Sequence, residues 1–273
     1  GELPSHPELL DFLALELQQN QWSLKHLHRL IVTSATYQQS AAVRTELQEH
    51  DPENSLLGRQ SRHRVEAEIV RDLALSVSGL LDRRVGGPSV RPPQPTEYSS
   101  LTYANSAKWQ TSKGGDRYRR GMYTFFQRTS PYPMLITFDA PDSNECAAQR
   151  SSSNTPMQAL TIWNDVVFFE CAQHLGQRIV NEAGAKGDSV ETLRQRIRHA
   201  FLLCLARYPT DEELTTVSAF YRSQLELCRA DAPGRDKIIG SLKPGANVTA
   251  DELAAWILVG RALINLDEFI SRE

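Results

Sequence analysis

The chain has 273 residues, 30 of them basic and 33 acidic, which gives a net charge of −3 at neutral pH with 40% hydrophobic residues. That apolar share supports a sizeable core and excludes a disordered chain. The near-balanced charge excludes a general nucleic-acid binder, which needs a domain-wide basic field, and no apolar run approaches the roughly 20 residues that span a bilayer.

Helix starts are the clearest local signal. Ser5-His6-Pro7-Glu8, Thr155-Pro156-Met157-Gln158, Thr210-Asp211-Glu212-Glu213 and Thr249-Ala250-Asp251-Glu252 all fit the capping box. In that motif a hydroxyl accepts from the N3 amide and the N3 side chain reaches back. Asp188 with Glu191 is a looser fifth case. An apolar pattern of helical period follows each one, such as Leu193, Ile197, Ala200, Phe201 and Cys204.

In chain order the pattern predicts helices over 6–19, 23–40, 55–82, 156–182, 189–207, 211–230 and 250–270. Within the third, Arg64, Glu68, Arg71 and Asp72 recur at helical spacing, which predicts an ion-pair ladder on one face. Between 83 and 137 the glycines and prolines of "VGGPSVRPPQP" end that helix and forbid another. There "GMYTFFQ" at 121–127 is β-prone, and pairing with "KWQ" near 109 across "SKGGD" would make a small β-hairpin. The 156–182 segment is apolar on nearly every side, as a central bundle helix should be, although Asn164 and Asp165 interrupt it. Buried there, both would need hydrogen-bond partners. "ELAAWILVGRALINLDEFI" is similar and is expected beside it. The fold class is mainly α: one helical domain over 1–273, an irregular bundle with a Pro/Gly-rich insert that leaves room for a hairpin.

Metal and haem signatures are missing. Cys146, Cys171, Cys204 and Cys228 form no C-x-x-C or C-x-x-C-H, and there is no H-E-x-x-H. No metal site or cofactor is therefore expected on this chain, and the cysteines read as buried free thiols, with disulfides open if the protein is exported.

Two stretches carry candidate chemistry. "KGGDRYRRGMYTFFQR" alternates Arg117, Arg119, Arg120 and Arg128 with Tyr118, Tyr123, Phe125 and Phe126. Such a surface can hold an anion, including a sulfated or uronic-acid sugar, by forked guanidinium bonds and ring stacking. "FDAPDSNECAAQRSSSNTPMQAL" brings Asp139, Asp142, Glu145, Arg150 and Asn154 to the start of the central helix. Asp142 and Glu145 are three apart, so a short helix would set both on one face, as an acid/base pair needs. These acids could line a pocket or latch onto the arginines; mixed charges on nearby segments usually neutralise each other, and we read a latch. Together with Asn164 and Asp165 these residues form the candidate binding set.

Several long stretches resemble a known family: "PSHPELLDFLA", "HRLIVTSATYQQS", "VEAEIVRD", "DRYRRGMYTFFQRTSPYP", "FDAPD", "SNTPMQAL" and "LINLDEF". They look like the C-terminal domain of unknown function that lies downstream of cytochrome-c-like domains in large planctomycete proteins. The resemblance implies an exported, extracytoplasmic multidomain protein whose haem belongs to the upstream domains only. It also implies that this chain is an excised piece, in keeping with an opening "GELPSHPELL" that has no targeting pattern. It assigns no reaction. The expected function is a non-catalytic interaction or ligand-binding module whose partners are the upstream domains of the same polypeptide or an anionic carbohydrate. The competing expectation is a hydrolase acting on polysaccharide through the acids at 139–145, since paired carboxylates about 5–10 Å apart support glycoside chemistry.

Overall fold

A computed structural model describes residues 3–95, 109–128, 130–141, 146–147, 149–184, 187, 189–245 and 248–272. The fold is mainly α-helical. It divides into two compact units, one of Gly1–Arg64 with Ser271–Glu273 and one of Val65–Ile270.

The smaller unit holds α1 (Pro7–Gln19), α2 (Leu24–Val32), α3 (Thr45–His50) and a short antiparallel ladder. In that ladder β1 (His63–Arg64) pairs with β2 (Ser271–Arg272). Gln21 and Trp22 take positive φ, which turns α1 back onto α2. His26 Nε2 sits 3.0 Å from Glu16 Oε2 across the hairpin. Ser5 does not cap α1: His6 occupies the N-cap without a side-chain bond, and the Ser5 hydroxyl meets His6 Nδ1. The helix expected to reach 40 stops at Val32, because the Thr33 and Ser34 hydroxyls turn back to the Arg29 and Ile31 carbonyls. No residue of α1, α2 or α3 is buried.

The larger unit carries the core. Its helices are α4 (Ala67–Ser78), α5 (Pro133–Thr137), α6 (Pro156–Asn164), α7 (Val166–Glu182), α8 (Val190–Leu205), α9 (Asp211–Ala230), α10 (Ala232–Ile239) and α11 (Ala250–Ile264). The expected 55–82 helix is only α4. Asn54 and Leu57 adopt positive φ ahead of it, and Gly79 at φ 77 ends it in the left-handed conformation. Arg178 of α7 then donates to the Ser76 and Val77 carbonyls at the end of α4.

α7 is the central helix, packed on α11, α4, α6 and α8. It does not run unbroken from 156. Asp165 is extended (φ −68, ψ 137) and its Oδ1 accepts from Val167 N at 2.8 Å, so it starts a new helix. Asn164, expected buried, is exposed at the end of α6. The capping boxes at Thr210 and Thr249 are both complete. Thr155 occupies its N-cap position but makes no side-chain cap bond. Ser189 caps α8 by accepting from Thr192 N, while Asp188 lies outside the described residues.

In the insert, 121–127 does not pair with 109–110. Gly114–Tyr118 and Gly121–Tyr123 form 3-10 turns. The extended contacts run instead through Val90, which donates to the Tyr123 carbonyl and accepts from Phe125 N. Trp109 and Tyr132 stack with centroids 5.7 Å apart. Trp109 Nε1 donates to the Pro92 carbonyl and the Tyr132 hydroxyl to that of Pro93, so two buried prolines are held by an aromatic pair. Their missing N–H groups explain why this stretch offers carbonyls and not a strand ladder.

Candidate functional site

α4 is the floor of the site, and the arginine-rich segment lies along it. Gly121 makes the close approach possible: a Cβ there would lie 2.5 Å from the Glu68 carbonyl oxygen. Its amide donates to Asp72 Oδ1 at 2.6 Å, and Arg120 Nε donates to Asp72 Oδ2 at 2.9 Å. One carboxylate therefore fixes both the backbone and a side chain of the segment. Farther along, Arg150 forks onto Glu68 at 2.7 and 3.2 Å and reaches Glu66.

The other arginines face α7 or the backbone. Arg117 Nη2 lies 2.9 Å from Glu170 Oε2, and the Tyr118 hydroxyl donates to Glu170 Oε1. Burial, then that bond to Glu170, raises the Tyr118 pKa. Arg119 is buried; its guanidinium donates to the Pro88, Arg84 and Gly86 carbonyls and stacks 3.8 Å from the Tyr123 ring centroid. The Tyr123 hydroxyl accepts from Gly86 N. Arg128 is exposed at the end of the segment.

An arginine latch is present among the described residues: Arg117 meets Glu170, Arg120 meets Asp72, and Arg150 meets Glu68 and Glu66. Asp139 meets no arginine: at φ 62, it accepts from Ser153 N at 2.8 Å and from the Ser153 hydroxyl. Gln158, expected to reach back to Thr155, donates to the Thr137 carbonyl and to Ser153 Oγ. Asp142 and Glu145 lie outside the described residues. Asn154 is exposed. The expected intrahelical ladder on α4 is replaced by bonds between elements, because Glu68 and Asp72 point to partners in the loops.

Arg71, on the same helix, is buried. Its Nη2 donates to the Arg117 carbonyl at 2.8 Å. The signal for it was present in the sequence: Ala67, Val70, Arg71, Ala74, Leu75 and Ser78 share the stripe that α4 buries, so the arginine occupies a core position. Glu170 had no such signal. Around Arg71, burial raises the Asp165 carboxyl and lifts the Cys171 thiol to about 12.

All four cysteines are free, Cys146 exposed and Cys171 and Cys228 buried. Among the described residues no group of three or more His, Cys, Asp or Glu is placed to hold a metal ion, and no helix is long and apolar enough to cross a membrane.

The sequence profile of PSD1, a family described as proteins of unknown function (DUF1553), matches residues 1–221. The chain belongs to the PSD1 family. The match takes in α4, the arginine segment and α7 and ends within α9, so every residue of the latch is inside it. No curated protein and no solved structure matches the chain.

Proposed function

We propose that this PSD1 chain is a non-catalytic interaction module of an exported multidomain protein, and that its smaller unit docks the domain preceding it in the same polypeptide. One observation carries the reading. Among the described residues, half of the exposed large apolar side chains fall within residues 3–57, where α1, α2 and α3 bury none of their own residues. Leu9, Phe12, Leu13, Leu30, Ile31 and Tyr37 line a groove of about 490 Å³ there. A contiguous apolar surface of this kind marks an interaction site.

The occupant is argued from tethering. In the proteins that the sequence resembles, cytochrome-c-like domains precede this region. A covalent link gives such a domain a local concentration far above that of a free partner, so modest apolar burial suffices. Haem and the extracytoplasmic setting belong to the same proposal and rest on the resemblance. The larger unit supports a non-catalytic role: Arg117, Arg119, Arg120, Arg150 and Asp139 are all engaged by partners within the chain. Polysaccharide hydrolysis draws no support from Asp139, which Ser153 occupies.

Hydrogen exchange tests the docking. Amides of α1 and α2 should exchange more slowly in the full-length polypeptide than in this chain, and Phe12→Glu should restore fast exchange. Equal exchange in both proteins would remove the proposal.

A further inference from the structure

Arg71 is 1% exposed and uses only one of its nitrogens: Nη2 bonds the Arg117 carbonyl, and Nε and Nη1 have no partner among the described residues. A buried guanidinium in this condition is unusual, because burying a charge is costly unless it is paired and hydrogen-bonded. The nearby acids are spent elsewhere. Asp72 holds Arg120 and Gly121, Glu170 holds Arg117 and Tyr118, and Glu68 holds Arg150. Asp165 interacts with Arg71 through its field, but its carboxylate caps Val167, and burial disfavours its charged form.

We propose that Arg71 anchors a binding site for a small carboxylate, bounded by α4, the Gly114–Tyr118 turn and the start of α7. The inference is independent of the docking reading, which concerns the smaller unit. The chemistry selects the ligand class. A guanidinium presents paired N–H groups along each edge of its plane, a fork that matches the two oxygens of a carboxylate. Nη2 keeps a second hydrogen, so one of the two edges that it shares with Nη1 and with Nε still offers such a pair. A single buried guanidinium with no carboxylate hydrogen-bonded to it suits a monoanion; a phosphate or sulfate dianion would bring a second charge with no further cation to meet it. The carboxylate can belong to a free small acid or to a uronic-acid sugar.

The test is a titration of the whole chain with formate, acetate and glucuronate at constant ionic strength, followed by calorimetry and by melting temperature. Saturable binding of at least one carboxylate is expected, weaker by about tenfold in Arg71→Lys, which keeps the charge but loses the fork. Arg198→Gln, which alters an exposed pair with Glu191 away from this region, should bind as the wild type does. Binding of formate and acetate alone assigns the site to a free acid, and binding of glucuronate alone assigns it to a sugar. No saturable binding by the wild-type chain overturns the proposal even if an Arg71 variant fails to fold. Equal binding by wild type and Arg71→Lys overturns it as well.

Discussion

Gly176 on α7 meets Ile257 on α11 so closely that a Cβ on the glycine would lie 2.7 Å from the Ile257 backbone nitrogen. The two helices touch backbone to backbone, and Gly260, about one turn on, comes within 3.2 Å of the Leu175 side chain by the same measure. Gly176→Ala should therefore destabilise the larger unit by about 1–3 kcal/mol through overpacking, despite the better helix propensity of alanine. A urea midpoint equal to that of the wild type would show that α7 and α11 have room to separate.

The caps make a second, internally controlled prediction. Thr210 and Thr249 each accept from the N3 amide while Glu213 and Glu252 reach back. Replacing either threonine by alanine should cost about 1 kcal/mol. Thr155→Ala should cost close to nothing, since the Thr155 hydroxyl makes no cap bond. Thermal unfolding of the three variants side by side checks this, and a Thr155→Ala loss as large as that of Thr249→Ala would contradict the assigned start of α6.

What the sequence disclosed and what it hid divide along a physical line. The capping boxes at Thr210 and Thr249 and the apolar faces of α7 and α11 depend on residues within a few positions of one another, and they were legible. The same local motif at Thr155 misled, because Gln158 donates to the Thr137 carbonyl, 21 residues back, and to Ser153 just outside the helix, and not to its own N-cap. Likewise, charge pairing of the arginines was foreseeable in kind, whereas the partners of Arg117 and Arg120 were not. Sequence proximity suggested Asp139, whereas folding brought up Asp72 and Glu170 from α4 and α7. The break at Asp165 was visible as a polar interruption, yet only the packing of α6 and α7 decides between a buried polar pair and a new N-cap.

Asp72 is the member of the latch whose loss should be felt most. Its side chain is 12% exposed and accepts from both Arg120 Nε and Gly121 N. Asp72→Ala leaves a buried amide unpaired and frees the segment at its closest approach to α4, so a cost of about 3 kcal/mol is expected. Arg120→Ala should cost less, about 1 kcal/mol, because that side chain is 41% exposed and Asp72 keeps the Gly121 bond. The double variant should fall short of the sum, since both changes remove the same contact. Strict additivity in chemical denaturation would mean that the two residues act separately.

The acid limb of stability should report on Glu213. Arg207 grips its carboxylate with two bonds of 2.9 and 2.7 Å and holds Glu268 with its other edge. Those bonds, with the Thr210 amide, hold Glu213 down to about 2 from an ordinary value of 4.5. Because the folded value lies below the unfolded one, the stabilisation is complete above about pH 4.5 and is lost as pH falls toward about 2. The pair is a third exposed, so its amplitude should be small and shrink further with added salt. Glu213→Gln keeps the shape of the cap while removing the titration. Its melting temperature should fall less steeply than that of the wild type across this window, and parallel curves would locate the acid sensitivity in other carboxylates.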